Sequence, residues 1–129
     1  MDEGKIKILV VDDEVDFTQA MSFWFKSKGY ATTVANDGEA AVTMVREDTP
    51  DIIFLDLKMP GIDGIETLRR IRQLNKGIPV VIISAYVDRL LVEEAEPYSV
   101  SGVFYKGKDF EEGLVLLESI LRTHKKLKR

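Results

Sequence analysis

The sequence predicts an α/β fold in which a parallel sheet carries helices on both faces, and three observations support this. Five short apolar segments lack the polar alternation of half-exposed strands, which is typical of strands buried on both faces. Longer segments with apolar residues at helical spacing separate them. The two kinds of segment alternate about five times along the chain. This alternation favours strand–helix–strand units, whose right-handed crossovers leave few topologies.

The strands are predicted where β-branched or aromatic residues are concentrated. They are Ile6–Val11, Thr32–Ala35, Ile52–Leu55, Val80–Ser84 and Val103–Tyr105. In a parallel sheet of this kind, ligands bind at the carboxyl ends of the strands, near the point where the strand order reverses. The residues that follow these strands are therefore the first candidates for function.

The helices are predicted from apolar stripes that follow each strand. They cover about 17–28, 40–45, 65–74, 87–95 and 110–121. Gly29 ends the first helix and Pro97 ends the fourth. Asp109 and Glu112 predict a capping box at the start of the fifth helix, in which each residue satisfies a backbone amide of the other.

Length and composition limit the possible classes of protein. We predict that residues 1–129 form one domain, with a core from about 5 to 121 and a basic end, 122–129, that closes the last helix or begins a linker. The absence of cysteine excludes disulfides and thiolate metal sites. The net charge of −4 argues against direct nucleic-acid binding. No apolar run approaches the roughly 20 residues that span a bilayer, so we expect no membrane association and a cytoplasmic protein.

Candidate functional residues lie at the carboxyl ends of the first, third, fourth and fifth predicted strands. Asp12 and Asp13 follow the first, Asp56 the third, Ser84 ends the fourth and Lys106 follows the fifth. Each alone has an ordinary explanation, because aspartate often caps helices or turns, serine bonds its own loop, and lysine is solvated. Together they predict three carboxylates, a hydroxyl and an ammonium on one rim of the sheet.

This set of groups suits phosphoryl chemistry that depends on a divalent cation. Clustered carboxylates repel one another, and Mg²⁺, which prefers oxygen ligands and retains waters, would neutralise them. Asp56 is then a plausible nucleophile, because a carboxylate that attacks phosphorus forms an acyl phosphate and needs no general base. The metal and Lys106 would stabilise the charge of the transferring group, and Ser84 could donate a hydrogen bond to it.

Five motifs carry a resemblance to a known family. They are "VVDDE" (10–14), "DGEAAV" (37–42), "PDIIFLDLKMPGIDGIE" (50–66), "PVVIISAY" (79–86) and "YK" (105–106). With them, residues from about Lys5 to Leu121 resemble the receiver domain of two-component response regulators, of the chemotaxis-regulator type. The resemblance implies a flavodoxin-like (βα)5 sandwich of three layers with strand order 2-1-3-4-5.

The resemblance also implies a function. Asp56 would accept a phosphoryl group, in a Mg²⁺-dependent reaction, from a histidine of a sensor histidine kinase or histidine phosphotransferase. The chain would then be a phosphoacceptor switch that catalyses only its own phosphorylation and dephosphorylation. It would change its interaction with a downstream protein or output domain, and a dimer that forms on phosphorylation is a further option.

Individual residues receive roles through the same resemblance. The implied metal ligands are Asp13 and Asp56 directly, Asp12 through water, and the backbone carbonyl of Lys58. Ser84 and Lys106 would contact the phosphoryl oxygens. The side chains of Lys58 and Tyr86 would flank the path of an attacking water and modulate the lifetime of the acyl phosphate. His124, in the last helix, is interpreted as a surface residue rather than a phosphoryl relay.

Two positions depart from the family pattern. The family usually has Lys-Pro with a cis bond where this chain has Lys106-Gly107. Without proline a cis bond costs roughly 2.5–4 kcal/mol, so a trans bond is predicted here. The family also carries an aromatic residue three positions before the lysine, where this chain has Val103. The output mechanism is therefore less well defined by the resemblance than the chemistry is.

Three other classes of protein fit the sequence less well. A degenerate receiver that binds partners without phosphorylation is favoured by Val103 and Gly107, but the intact rim residues count against it. Phosphatases that form an aspartyl phosphate on related folds need a second aspartate two residues after the nucleophile, and that position is Lys58. A nucleotide-binding domain would need a glycine-rich phosphate motif, which the sequence lacks.

Overall fold

The computed structural model of the chain describes residues 4–85 and 88–124. The strands are β1 (Lys7–Val11), β2 (Ala31–Ala35), β3 (Ile52–Asp56), β4 (Val80–Ser84) and β5 (Gly102–Tyr105). All neighbouring strands pair in parallel, in the order β2-β1-β3-β4-β5. The predicted fold class and strand order are confirmed, and each described strand begins or ends within one residue of its prediction.

Five helices connect or follow these strands. They are α1 (Val15–Ser27), α2 (Gly38–Glu47), α3 (Gly64–Leu74), α4 (Arg89–Ala95) and α5 (Phe110–Thr123). The start predicted for the fourth helix, Val87, lies outside the described residues. Within the described parts of the chain, no helix combines the length and apolar character that crossing a membrane requires.

The sheet separates two hydrophobic cores, because successive side chains of a strand point to opposite faces. On one face Ile8, Val10 and Phe54 pack with residues of α1 and α5. On the other face Leu9 and Leu55 pack with residues of α2, α3 and α4. Every residue of β3 and β4 is buried. The central strands therefore form a rigid support for the residues at their carboxyl ends.

Two predicted helix boundaries differ in detail from the structure. Pro97 does not simply end α4, since the helix stops at Ala95 and Pro97 lies in a single 3-10 turn, Glu96–Tyr98. Proline fits an opening turn because its missing N–H would have no partner there. Asp109 caps α5, but its carboxylate accepts from the amide of Glu111 at 2.9 Å and not from that of Glu112.

The start of α3 lies directly against the end of β3, and Gly64 makes this close approach possible. A Cβ atom at Gly64 would lie 2.2 Å from the Leu57 Cα and 2.5 Å from the Asp56 carbonyl oxygen. The Gly64 amide donates to the Leu57 carbonyl at 3.0 Å. Glycine is therefore required here to hold the backbone that follows Asp56.

Candidate functional site

Three carboxylates meet at the carboxyl end of the sheet. Asp12 follows β1 and is 0% exposed, Asp56 ends β3 and is 5% exposed, and Asp13 is exposed. They come together because β1 and β3 are adjacent in the sheet. One oxygen from each lies within 4.8 Å of the others. Such a set of oxygens can hold a hard divalent cation that keeps some of its waters.

Backbone amides fix the orientation of the two buried carboxylates. Asp12 Oδ1 accepts from the Glu14 amide at 3.0 Å, and Asp56 Oδ1 accepts from the Lys58 amide at 3.1 Å. The second oxygen of each carboxylate remains available to a cation. Asp12 Oδ2 is buried and faces a cation already present in the fold, the ammonium of Lys106 at 2.9 Å.

Lys106 is the cation that lies among these acids. Its Nζ is 2.9 Å from Asp12 Oδ2 and 3.9 Å from Asp56 Oδ2, and it also contacts the carboxylate of Glu14. Burial lowers the pKa of Lys106, but its contacts with Glu14 and Asp12 raise that pKa by more, so the net pKa is above the ordinary value. Lys106 is therefore a fixed positive charge at physiological pH.

The carboxyl group of Asp56 has a pKa that is raised from 3.8 to about 7. Burial is the main cause, and the charge of Asp12 adds to it, whereas the Lys58 amide and Lys106 oppose it. Without a bound cation, Asp56 is thus partly protonated near neutral pH. A divalent cation would favour its ionised form, which is the nucleophilic one.

Ser84 lies on the same rim, and its hydroxyl is hydrogen-bonded to the backbone. The side chain is buried and donates to the carbonyl of the next residue, Ala85, at 2.8 Å. The Ser84 carbonyl accepts from the Lys106 amide at 2.9 Å, which places the ends of β4 and β5 side by side. Because a hydroxyl donates one hydrogen bond, donation to a group on Asp56 would replace the bond to Ala85. Tyr86 lies outside the described residues.

The side chain of Lys58 extends across the mouth of the site toward a residue that the sequence analysis missed. Its Nζ lies 3.7 Å from Asp88 Oδ1, in an ion pair whose acid is largely buried. The sequence signal for Asp88 was its position four residues after β4, on the same rim. Glu14 was visible as part of the acidic motif but received no role.

The cleft measures about 330 Å³ and is lined by Asp13, Glu14, Asp56, Lys58, Ala85, Asp88 and Lys106.

The two positions that depart from the family pattern are also defined. The described residues contain no cis peptide bond, which confirms the predicted trans Lys106-Gly107 bond, and Gly107 has a φ of 93°. Val103 is half-buried and packs against the core on the α2, α3 and α4 side. His124 is exposed and bonds the Ile120 carbonyl of its own helix at 2.9 Å, as expected for a surface residue.

The parallel sheet and its acidic rim together define a receiver module of two-component signalling. The chain belongs to the response regulator receiver domain family, whose sequence model matches residues 8–119.

Two curated relatives and one solved structure illustrate this membership. The sporulation initiation phosphotransferase F of Bacillus subtilis is 35% identical over 106 residues, which are 82% of this chain and 86% of that protein. The DNA-binding response regulator MtrA of Mycobacterium tuberculosis is 39% identical over 68% of this chain, but the match covers only 38% of its own length. The chemotaxis protein CheY4 of Vibrio cholerae superposes with a TM-score of 0.86 at 25% identity, over 92% of this chain and 100% of that one.

Proposed function

We propose that this receiver domain is switched by Mg²⁺-dependent transfer of a phosphoryl group to Asp56 from a phosphohistidine. The donor would be a sensor histidine kinase or histidine phosphotransferase acting in the cytoplasm. The observation that carries the proposal is the position of Asp56. It is a buried carboxylate at the end of the central strand β3, within 4.8 Å of two other acids and 3.9 Å from Lys106 Nζ.

The transfer can be written with the residues of this chain. A carboxylate oxygen of Asp56 attacks phosphorus, a P–O bond forms, and the P–N bond to the donor imidazole breaks. The released imidazole takes up a proton. Lys106 stabilises the charge on the phosphoryl oxygens, and the Ser84 hydroxyl donates to one of them after it leaves the Ala85 carbonyl. The domain catalyses only this reaction and the later hydrolysis of its own acyl phosphate.

The residues fit a magnesium ion. Asp12, Asp13 and Asp56 supply carboxylate oxygens that lie within 4.8 Å of one another, and the Lys58 carbonyl is the remaining candidate ligand. When bound, Mg²⁺ would neutralise the clustered acids and part of the phosphoryl charge. The cleft of about 330 Å³ leaves room for a phosphoryl group and several waters, each of about 30 Å³.

The experiment that tests this proposal is labelling with a small phosphodonor in excess Mg²⁺, followed by intact mass. Wild type should gain the mass of one phosphoryl group, and Asp56→Asn should gain none. Asp16→Asn, which removes an exposed carboxylate from the first turn of α1, should be labelled like wild type. Stoichiometric labelling of Asp56→Asn would overturn the choice of acceptor, and an unlabelled wild type would favour a degenerate receiver that binds partners without phosphorylation.

The same proposal includes the consequences of phosphorylation. The phosphorylated domain would change its contact with a downstream protein or an output domain, or form a dimer. We also propose that residues 1–129 act as one receiver domain without direct contact to nucleic acid or membrane. Its acidic charge of −4 supports the absence of direct nucleic-acid binding.

A further inference from the structure

We propose that Glu14 is a competing partner of Lys106, which it holds in the unphosphorylated state and must release when Asp56 is phosphorylated. This inference rests on the proposed function, because it concerns the cation that would contact the phosphoryl group. It assigns to Glu14 control over how readily Asp56 is phosphorylated.

Among the described residues Lys106 has three carboxylate neighbours, and they differ in how firmly they are held. Asp12 and Asp56 are buried, and each is fixed by a hydrogen bond from a backbone amide. The side chain of Glu14 is 62% exposed. Glu14 is therefore the neighbour that can move away from Lys106 at the lowest cost.

The position of Glu14 at the start of α1 does not account for its side-chain contact. Glu14 occupies the N-cap position of α1, but its side chain makes no capping hydrogen bond. The carboxylate instead contacts Lys106 Nζ, which is 92 residues away in the sequence. Nor does Glu14 belong to the set of three acids that could share a cation. Within the described parts of the chain, the strong partner of this side chain is thus Lys106, the proposed phosphoryl contact.

Phosphorylation would change the balance of charge around Lys106. A phosphoryl group on Asp56 places additional negative charge on the side of Lys106 where Asp56 Oδ2 already lies at 3.9 Å. Lys106 can neutralise that charge fully only when Glu14 withdraws, and a Glu14 carboxylate that stays would repel the phosphoryl oxygens. An exposed ion pair of this kind is weak, so its loss should change the reaction by roughly two- to five-fold.

The test compares two variants that remove one negative charge from neighbouring positions. Glu14→Gln removes the charge in contact with Lys106. Asp16→Asn removes an exposed charge two residues further along α1. We expect Glu14→Gln to accelerate labelling of Asp56 by a small phosphodonor roughly two- to five-fold. The variant should also bind beryllofluoride more tightly. In an NMR titration, the concentration that half-saturates the protein should fall by a similar factor. Asp16→Asn should change both quantities by less than half as much.

A third measurement requires neither Mg²⁺ nor phosphate. In the metal-free protein, Glu14→Gln should shift the ¹⁵N signal of the Lys106 ammonium, and Asp16→Asn should leave it in place. Equal effects of the two variants in all three measurements would overturn the inference, since the charge would then act only at long range. Slower labelling of Glu14→Gln would also overturn it, because Glu14 would then assist the reaction. After either of these outcomes, the proposed function still stands if wild type is labelled at Asp56. An unlabelled wild type would overturn the proposed function and the role of Glu14 together.

Discussion

Two regions of this molecule hold a partly or largely buried cation, and the partners of that cation differ between them. At the carboxyl end of the sheet, Lys106 is surrounded by the carboxylates of Asp12, Glu14 and Asp56. Near the end of α3, Arg72 is only 9% exposed, and its guanidinium donates to three backbone carbonyls. These belong to Tyr98 at 2.7 Å, Ser99 at 3.1 Å and Asn75 at 3.3 Å.

The two cations also differ in the direction of their pKa shifts. Burial lowers the pKa of Arg72, and its partners, which are neutral carbonyls, carry no charge that would offset this effect. Burial lowers the pKa of Lys106 as well, but the carboxylates around it raise it by more. A backbone carbonyl cannot move away from its cation unless the fold changes. A carboxylate side chain can rotate away and leave the cation to another anion. We therefore interpret Arg72 as a structural connection and Lys106 as a group whose partners change.

The largest expected effect is on Arg72. Arg72→Met keeps most of the aliphatic stem but removes the hydrogen bonds that join α3 to the 3-10 turn. We expect the free energy of unfolding to fall by about 2–4 kcal/mol, because three backbone carbonyls lose the buried, charged donor that they share. Urea unfolding measures this loss. Labelling of Asp56 should be unchanged under conditions where the variant is folded.

A matched control lies two residues earlier on the same helix. Arg70 pairs with Glu66 at the surface, at 2.7 Å, and such pairs contribute at most about 1 kcal/mol. Arg70→Met should therefore cost much less than Arg72→Met. Equal losses would mean that helix α3 is sensitive to any loss of charge, and the structural interpretation of Arg72 would be wrong.

The second expected effect is a gain in stability, because the buried negative charges of the rim destabilise the fold. The fold raises the pKa of the Asp56 carboxyl from its ordinary value of 3.8 to about 7. Between these values the folded state binds more proton than the unfolded state, so the contribution of Asp56 to stability falls as the pH rises from about 4 to about 7. Asp56→Asn cannot titrate and should remove this part of the pH dependence. At pH 8 without Mg²⁺, we expect the variant to be more stable by about 2 kcal/mol, below the limit of about 4 kcal/mol that the shift allows.

Urea unfolding of both proteins from pH 4 to pH 8 measures this difference. Saturating Mg²⁺ serves as the control, since a bound cation should keep Asp56 ionised and reduce the advantage of the variant. A constant difference between the two proteins across the pH range would show that the Asp56 carboxyl is not perturbed by its surroundings.

The third effect concerns the cation itself. Mg²⁺ at ten times its Kd should stabilise wild type by about 1.4 kcal/mol through mass action. Asp13→Ala should lose most of this response, and its metal-free form should be at least as stable as wild type because one repulsive charge is gone. Asp16→Ala, which changes an acid outside the cluster, should keep the response. The measurement is the shift of Tm with Mg²⁺, and an intact shift in Asp13→Ala would argue against a cation at this rim.

The sequence predicted the framework of the rim better than its contacts. Strand periodicity and the position of Asp56 at a strand end were sufficient to place the acids on one edge, because the carboxyl ends of parallel strands converge. Side-chain partners depend on rotamers and loop paths, which periodicity does not encode. For this reason the Ser84 hydroxyl, which turns to Ala85, and the contact between Glu14 and Lys106 could not be predicted.

The same limit applies to the corner around Arg72. Its sequence signal was only that of a basic residue in the last turn of a helix, where cations are common. Two of the three carbonyls that it binds come from 26 and 27 residues further along the chain. Their position depends on the 3-10 turn at Pro97, where the sequence suggested only the end of α4. Long-range hydrogen bonds of this kind follow from the packed fold rather than from a local pattern.

The smallest expected effect concerns the second lysine of the cleft and the lifetime of the acyl phosphate. Lys58 could slow hydrolysis by contacting a phosphoryl oxygen and excluding water. In the structure, however, its Nζ is 3.7 Å from Asp88. Asp88→Asn should free Lys58 and lengthen the lifetime, whereas Lys58→Ala should shorten it. Each change should be roughly two-fold, because the pair lies at the surface of the cleft.

Loss of the phosphoryl group over time in excess Mg²⁺ measures both effects, and the double variant decides how Asp88 acts. If Asp88 works only by holding Lys58, then Lys58→Ala with Asp88→Asn should have the lifetime of Lys58→Ala alone, since contacting residues are not additive. A double variant that is still stabilised by Asp88→Asn would mean that the Asp88 charge repels the phosphoryl group directly. Tyr86→Ala, measured in the same series, tests whether the aromatic ring adds to the shielding. Equal lifetimes in all variants would show that neither Lys58 nor Tyr86 covers the path of water. Among the described residues, Lys106 would then be the one cation of the cleft whose partners matter for the signal.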